Sequence, residues 1–313
     1  MKKKIICLGF MLVLLFSLSA CESKDLEKND GERLRVGVTI NPLKDFAEAI
    51  GGDKVEVFSI VPDGSDAHSF DPKPKDLKDL IDTDVFLYNG LEMEEWIDSV
   101  LGTIEGKDVK IVEASKDINA MDILEDGHSH EDMDEEHIEE HNHGGKDPHV
   151  WLSLMDAIKE AENIKNAFCE VDPNNKEYYE DNFEKLKKEF TDLNNEYVNK
   201  FNSLSNKDFV TGHAAFGYLC RDFGLTQKSI ADVFGEGELT PKNLEALINY
   251  CKTNNVKVIF SEATASEKEA ETLAKEVGAK VVKIYSLETK EDNMSYLEGM
   301  KYNLETIYSN LSN

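Results

Sequence analysis

Short apolar runs alternate along this chain with stretches whose apolar positions recur every three or four residues. Residues 35–40, 55–61, 85–88 and 109–112 read as strands. Between them, 42–50 (closed by Gly51-Gly52), 74–81 and 92–101 read as amphipathic helices. The pattern returns further on, with strands over 208–211, 256–261 and 281–285 and helices over about 214–223, 241–253, 266–277 and 294–311. Strands alternating with helices predict largely parallel sheets covered on both faces. Two separate blocks predict an α/β fold of two lobes rather than one continuous sheet.

A long helical stretch divides the blocks. Pro173 suits a helix start, and Tyr179, Phe183, Leu186, Phe190, Leu193, Tyr197, Phe201 and Leu204 follow at steps of three and four, one stripe on one helix face. About 30 residues at 1.5 Å each would span about 45 Å, enough to cross both lobes. The expected organisation is an N-terminal lobe over 34–172, a stiff linking helix over 173–205 and a C-terminal lobe over 206–313.

The first 33 residues follow neither period. Lys2, Lys3 and Lys4 precede an apolar run from Ile5 to Leu18, too short for a bilayer span of about 20 residues. It ends in Leu18-Ser19-Ala20-Cys21, which resembles a bacterial lipobox. Residues 1–20 are therefore expected to be a lipoprotein signal, with Cys21 lipidated and 21–33 a polar tether. The expected location is the outer face of the cytoplasmic membrane.

Net charge is −28, and loss of the lysine-bearing leader makes it more acidic. Such a surface repels nucleic acid and anionic lipid and draws cations towards it. Cys169, Cys220 and Cys251 have no CxxC spacing and sit among apolar residues. They read as core thiols, with a Cys220–Cys251 bridge as the alternative.

The eight histidines change the picture most. His128, His130, His137, His141 and His143 crowd into the acidic tract 125–145. Without an apolar anchor this tract is expected to be a loop. It would gather metal weakly, or serve only as a solvated insertion. The remaining three stand alone in turn-like contexts: His68 beyond the 55–61 strand, His149 in Asp147-Pro148-His149-Val150-Trp151, and His213 directly after the 208–211 strand. Glu288 follows the 281–285 strand in the same way. Ligands of open α/β sheets lie beyond the carboxyl ends of the strands, so each lobe would offer two donors to a shared cleft. Three imidazoles and a carboxylate suit Zn2+; two and two would lean towards the harder Mn2+.

Four segments, 66–72, 89–96, 147–152 and 211–216, together resemble the metal-binding solute-binding lipoproteins of ABC importers (cluster A-I). The resemblance runs from Arg35 to the C-terminus. It implies two α/β lobes joined by a long helix, with metal held between them by His68, His149, His213 and Glu288. Histidine at position 213 points to the zinc branch, glutamate there to the manganese branch. Glu262 matches an acid that orients a ligand histidine, and the His-rich tract matches a feature of zinc members. The implied function is capture of Zn2+ as transported ligand for a membrane permease and its ATPase, by a chain acting as a monomer.

Manganese remains an alternative cargo. A secreted zinc hydrolase with Glu262 as base is the rival from another class. The chain has no HExxH, and four protein ligands leave no open position for a catalytic water. No P-loop is present, so energy for transport would come from another subunit. A surface adhesin has no support beyond the tether.

Overall fold

The computed structural model describes residues 33–123, 145–235, 240–262 and 267–312. The leader and Cys21, and the tract carrying His128, His130, His137, His141 and His143, lie outside the described residues.

The first sheet is built from β1 (Leu34–Val38), β2 (Val55–Ser59), β3 (Val85–Tyr88) and β4 (Lys110–Glu113), in the order β2-β1-β3-β4, all parallel. The interleaved helices are α1 (Asn41–Gly51), α2 (Pro74–Ile81) and α3 (Ile97–Ile104). Buried on both faces, the central strands read as apolar runs: Val36, Val38, Val85, Phe86 and Leu87 have no exposed surface. Gly37 is dictated by packing, since a Cβ there would lie 2.7 Å from Leu80 Cδ2.

The expected helix over 92–101 begins only at Ile97, because the preceding turn wraps around a buried acid. Glu94 accepts hydrogen bonds from the backbone N–H of Asn89 and Gly90 and from Thr39 Oγ1. Leu91 and Glu92 adopt φ of 56° and 64° to make that turn.

After a 3-10 turn (Val150–Leu152), α4 (Leu154–Val171) packs on the first sheet. A further 3-10 turn (Pro173–Asn175) leads into the linking helix α5 (Lys176–Asn202). Its 27 residues span about 40 Å at 1.5 Å per residue. Tyr179, Phe183, Phe190, Leu193, Tyr197 and Phe201 are buried along it. Phe190 joins both halves, with its ring 5.7 Å from Phe46 of α1 and 5.1 Å from Tyr296 of the C-terminal helix.

The second sheet repeats the first. Strands β5 (Asp208–Thr211), β6 (Thr226–Ser229), β7 (Val258–Ser261) and β8 (Lys280–Lys283) run parallel in the order β6-β5-β7-β8. They are joined by α6 (Gly217–Phe223), α7 (Pro241–Thr253) and α8 (Glu267–Val277), and α9 (Tyr296–Leu311) ends the fold. Strand β6, Thr226-Gln227-Lys228-Ser229, is missing from the sequence reading. It is a polar edge strand held by its ladder to β5, with no apolar alternation to reveal it.

Cys220 and Cys251 are free thiols in separate apolar clusters, so no Cys220–Cys251 bridge forms. Burial raises the pKa of both, as for inert core thiols.

Candidate metal centre

His213 follows β5 and Glu262 follows β7, the central pair of the second sheet where its strand order reverses. His68 lies in the loop after β2, His149 opens the 3-10 turn before α4, and Glu288 follows β8. These elements bring residues from both sheets into one buried cluster. Exposure is 8% for His68, 0% for His149, 5% for His213 and 4% for Glu288, so an ion held here is out of contact with bulk water.

His149 is central. Its ring centroid lies 5.4 Å from that of His68 and 5.5 Å from that of His213. Nδ1 of His149 pairs with Asp147 Oδ1 at 2.9 Å, leaving Nε2 buried and without a partner. Both ring nitrogens of His68 are likewise buried and unpartnered. Buried polar atoms are normally satisfied, and the donor set that remains has the chemistry of a metal site. Asp66, His68 and Glu288 each offer a ligand atom, all within 4.8 Å of one another.

Backbone contacts fix the ligand-bearing segments. Ala67 N–H donates to Glu288 Oε1 at 2.7 Å, and Ala67 C=O accepts from Trp96 Nε1 at 2.9 Å. Around His149, Tyr218 Oη donates to Asp147 C=O at 2.7 Å and Asn89 Nδ2 to Pro148 C=O at 3.0 Å. Trp151 Nε1 donates to Ser286 C=O at 2.8 Å, tying the His149 segment to the Glu288 segment. Leu287, at φ 61°, packs against Gly299, where an added Cβ would stand 2.3 Å from Leu287 Cδ2.

Burial also sets the charges. It pushes His68 down to about 3, with His149 adding to the effect. Burial lowers His149 as well, although Asp147 opposes it. For His213 burial acts downward but is outweighed by the Glu262 carboxylate, and the pKa rises. The His213 Nδ1–Glu262 Oε1 separation of 3.7 Å is too long for a hydrogen bond, so the coupling is through charge. Glu288 is raised to about 7, mainly by burial. Burial thus favours the neutral, ligating form of His68 and His149, whereas His213 and Glu288 hold a proton more tightly than the free side chains do.

The structure brings His68, His149, His213 and Glu288 into one cluster and sets Glu262 behind His213. It adds Asp147 and Asp66, to which the sequence reading gives no role. Each stands two residues before a histidine and accepts that histidine's backbone N–H, at 3.0 Å for Asp147 and 2.9 Å for Asp66. The repeated Asp-x-His spacing is the signal that could have found them.

Two parallel α/β lobes, a linking helix and a buried histidine-rich cleft define a metal-binding solute-binding protein. The family model described as "Zinc-uptake complex component A periplasmic" matches residues 36–310, and the chain belongs to that family. A relative from Treponema pallidum (strain Nichols), a putative metal-binding protein by name, is 44% identical over 279 residues, 88% of this chain and 87% of its own length. The high-affinity zinc uptake system protein ZnuA of Bacillus subtilis (strain 168) is 36% identical over 311 residues, 96% of each chain. Among solved structures, a Zn(II)-bound mutant variant of AdcAII from Streptococcus pneumoniae superposes with a TM-score of 0.79 at 32% identity, covering 90% of this chain and 99% of that one.

Proposed function

We propose that this chain is the extracytoplasmic zinc-binding component of an ABC transporter, capturing Zn2+ between its lobes and handing it to a membrane permease with its ATPase. The observation that carries this reading is the convergence of His68, His149 and His213, with buried unpartnered ring nitrogens on the first two. With Glu288 they make a three-nitrogen, one-oxygen donor set suited to tetrahedral Zn2+. Family membership and the zinc-binding relatives support the cargo.

Zinc is here a transported ligand, and the chain is not an enzyme. Four protein donors leave the metal no position for a reactive water. Cys21 carries the lipid anchor that keeps the chain at the outer face of the cytoplasmic membrane, residues 34–172 and 206–313 are the lobes, and 173–205 the linker. His128, His130, His137, His141 and His143 form an auxiliary element that gathers zinc loosely. Deleting 125–145 is then expected to leave tight binding intact.

The deciding experiment is metal analysis of the purified chain before and after joint replacement of His68, His149 and His213 by alanine. One tightly held zinc per parent chain and none in the triple variant is the expected result; zinc retained by the variant overturns the assignment. His213→Glu replaces a nitrogen by a harder oxygen donor, so competition titrations are expected to show its preference moving from zinc towards manganese.

A further inference from the structure

With all four proposed donors at most 8% exposed, a hydrated ion cannot reach them unless a covering group moves. We propose that the covering group is the Phe234 side chain, acting as a gate between an acid-lined antechamber and His68; this rests on the zinc-capture reading above. The Phe234 ring stands edge-on to His68, centroids 5.4 Å apart at 90°. Phe234 is half-buried and also borders a cavity of about 510 Å³. Every other described residue lining that cavity comes from the N-terminal half, including the carboxylates of Glu92, Glu95, Asp98 and Glu113. One aromatic ring from the second half thus stands between the histidines and a negatively charged hollow in the first.

The physical chemistry suits a gate. A phenyl group offers no ligand atom and makes no hydrogen bond, so rotation about its side-chain bonds sacrifices only apolar contact. Its backbone is held: Phe234 N–H donates to Asp232 Oδ1 at 3.1 Å, and Ala231 N–H to Gly212 C=O at 2.9 Å, one residue before His213. The ring can swing while the turn beneath it stays fixed to the His213 segment. The carboxylates raise the local concentration of divalent cations at the mouth, and a cleft lined by one sign of charge speeds association.

Stopped-flow kinetics of zinc uptake, and of zinc loss to a chelator, on the full chain test the gate. For Phe234→Ala, association and dissociation are expected to rise together by about tenfold, as for removal of a lid, with one zinc still bound and affinity little changed. Phe234→Leu, which preserves apolar packing, is expected to fall between Ala and the parent. Exchanging Glu92, Glu95, Asp98 and Glu113 for their amides is expected to slow association about tenfold at low salt, to leave dissociation alone, and to lose its effect near 1 M salt. Unchanged rates in both Phe234 variants, or a change in dissociation alone, overturns the gate. Failure of the parent chain to bind zinc overturns the functional reading instead.

Discussion

The backbone N–H of Ala67 and the carboxylate of Glu288, 221 residues apart, are joined by a 2.7 Å hydrogen bond across the cleft. The acid proposed to ligate the metal therefore also fastens the C-terminal lobe to the loop carrying His68. Ligand and fastening can be separated. Glu288→Gln keeps an oxygen for Ala67 but loses the charge, whereas Glu288→Ala loses both. Both variants are expected to weaken zinc by at least the ~100-fold seen at the upper end for partners of metal ligands. The alanine variant is expected to lose about 1.5–3 kcal/mol of stability in the metal-free protein, the worth of a charged hydrogen bond, and the glutamine variant, which keeps a neutral bond, about 1 kcal/mol less than that. Calorimetric titration and denaturant unfolding of the pair measure the two effects separately.

Asp147 and Asp66 make matching backbone contacts but differ at the ring. Only Asp147 reaches a histidine nitrogen, 2.9 Å from His149 Nδ1, which fixes the tautomer that turns Nε2 towards the centre. Asp147→Ala is expected to cost about 10–100-fold in zinc affinity. Asp66→Ala, which frees the His68 backbone N–H while leaving the ring in place, should cost less. Equal losses would show that ring orientation by Asp147 is not what governs affinity, and that Asp66 contributes as much, through the loop or as a donor beside His68 and Glu288.

The pH dependence follows from the burial of the donors. His68, at about 3, and His149, also lowered, stay neutral through the physiological range and do not compete with metal. His213, raised above 6.5, and Glu288, at about 7, bind protons in the metal-free protein that zinc must displace. Affinity should therefore begin to fall as pH drops through about 7, by up to ~10-fold per pH unit for each displaced proton. Zinc titrations from pH 8 to 5 check this. In Glu288→Gln the slope should be shallower by one proton.

Glu160 lies in the core on α4, fully buried, with neither carboxyl oxygen partnered. Burial raises its pKa well above 4.5, so the folded state binds the proton more tightly than the unfolded chain. Its contribution is then favourable below the unfolded pKa and is lost as pH rises towards the folded one. The loss amounts to about 1.4 kcal/mol for each pH unit separating the folded and unfolded pKa values. Glu160→Gln should raise the melting temperature at pH 7.5 and change it little at pH 4.5. Equal changes at the two pH values would remove the protonation account.

Much of this protein is legible in its sequence. Three- and four-residue spacing from Tyr179 to Phe201 marked the linking helix, because one buried stripe on a helix demands that period. Strand–helix alternation pointed to two parallel sheets, and solitary histidines in turns, His213 among them directly after β5, marked the candidate centre, because backbone direction fixes which end of a strand opens onto a cleft. Local pattern failed where tertiary contact decides the conformation. Polar β6 is a strand through its pairing with β5, and residues 92–96 turn rather than coil because Glu94 collects backbone donors from that turn.

The sequence alone determined the element types, the two-lobe plan and the candidate donor residues, since these follow from periodicity and side-chain chemistry. Only the tertiary structure decided how burial shifts each donor's hold on a proton, that Asp147 pairs with His149, that Glu288 also fastens the lobes, and that Phe234 stands edge-on to His68. Those depend on burial and on distances between residues far apart in the chain, which no local spacing encodes.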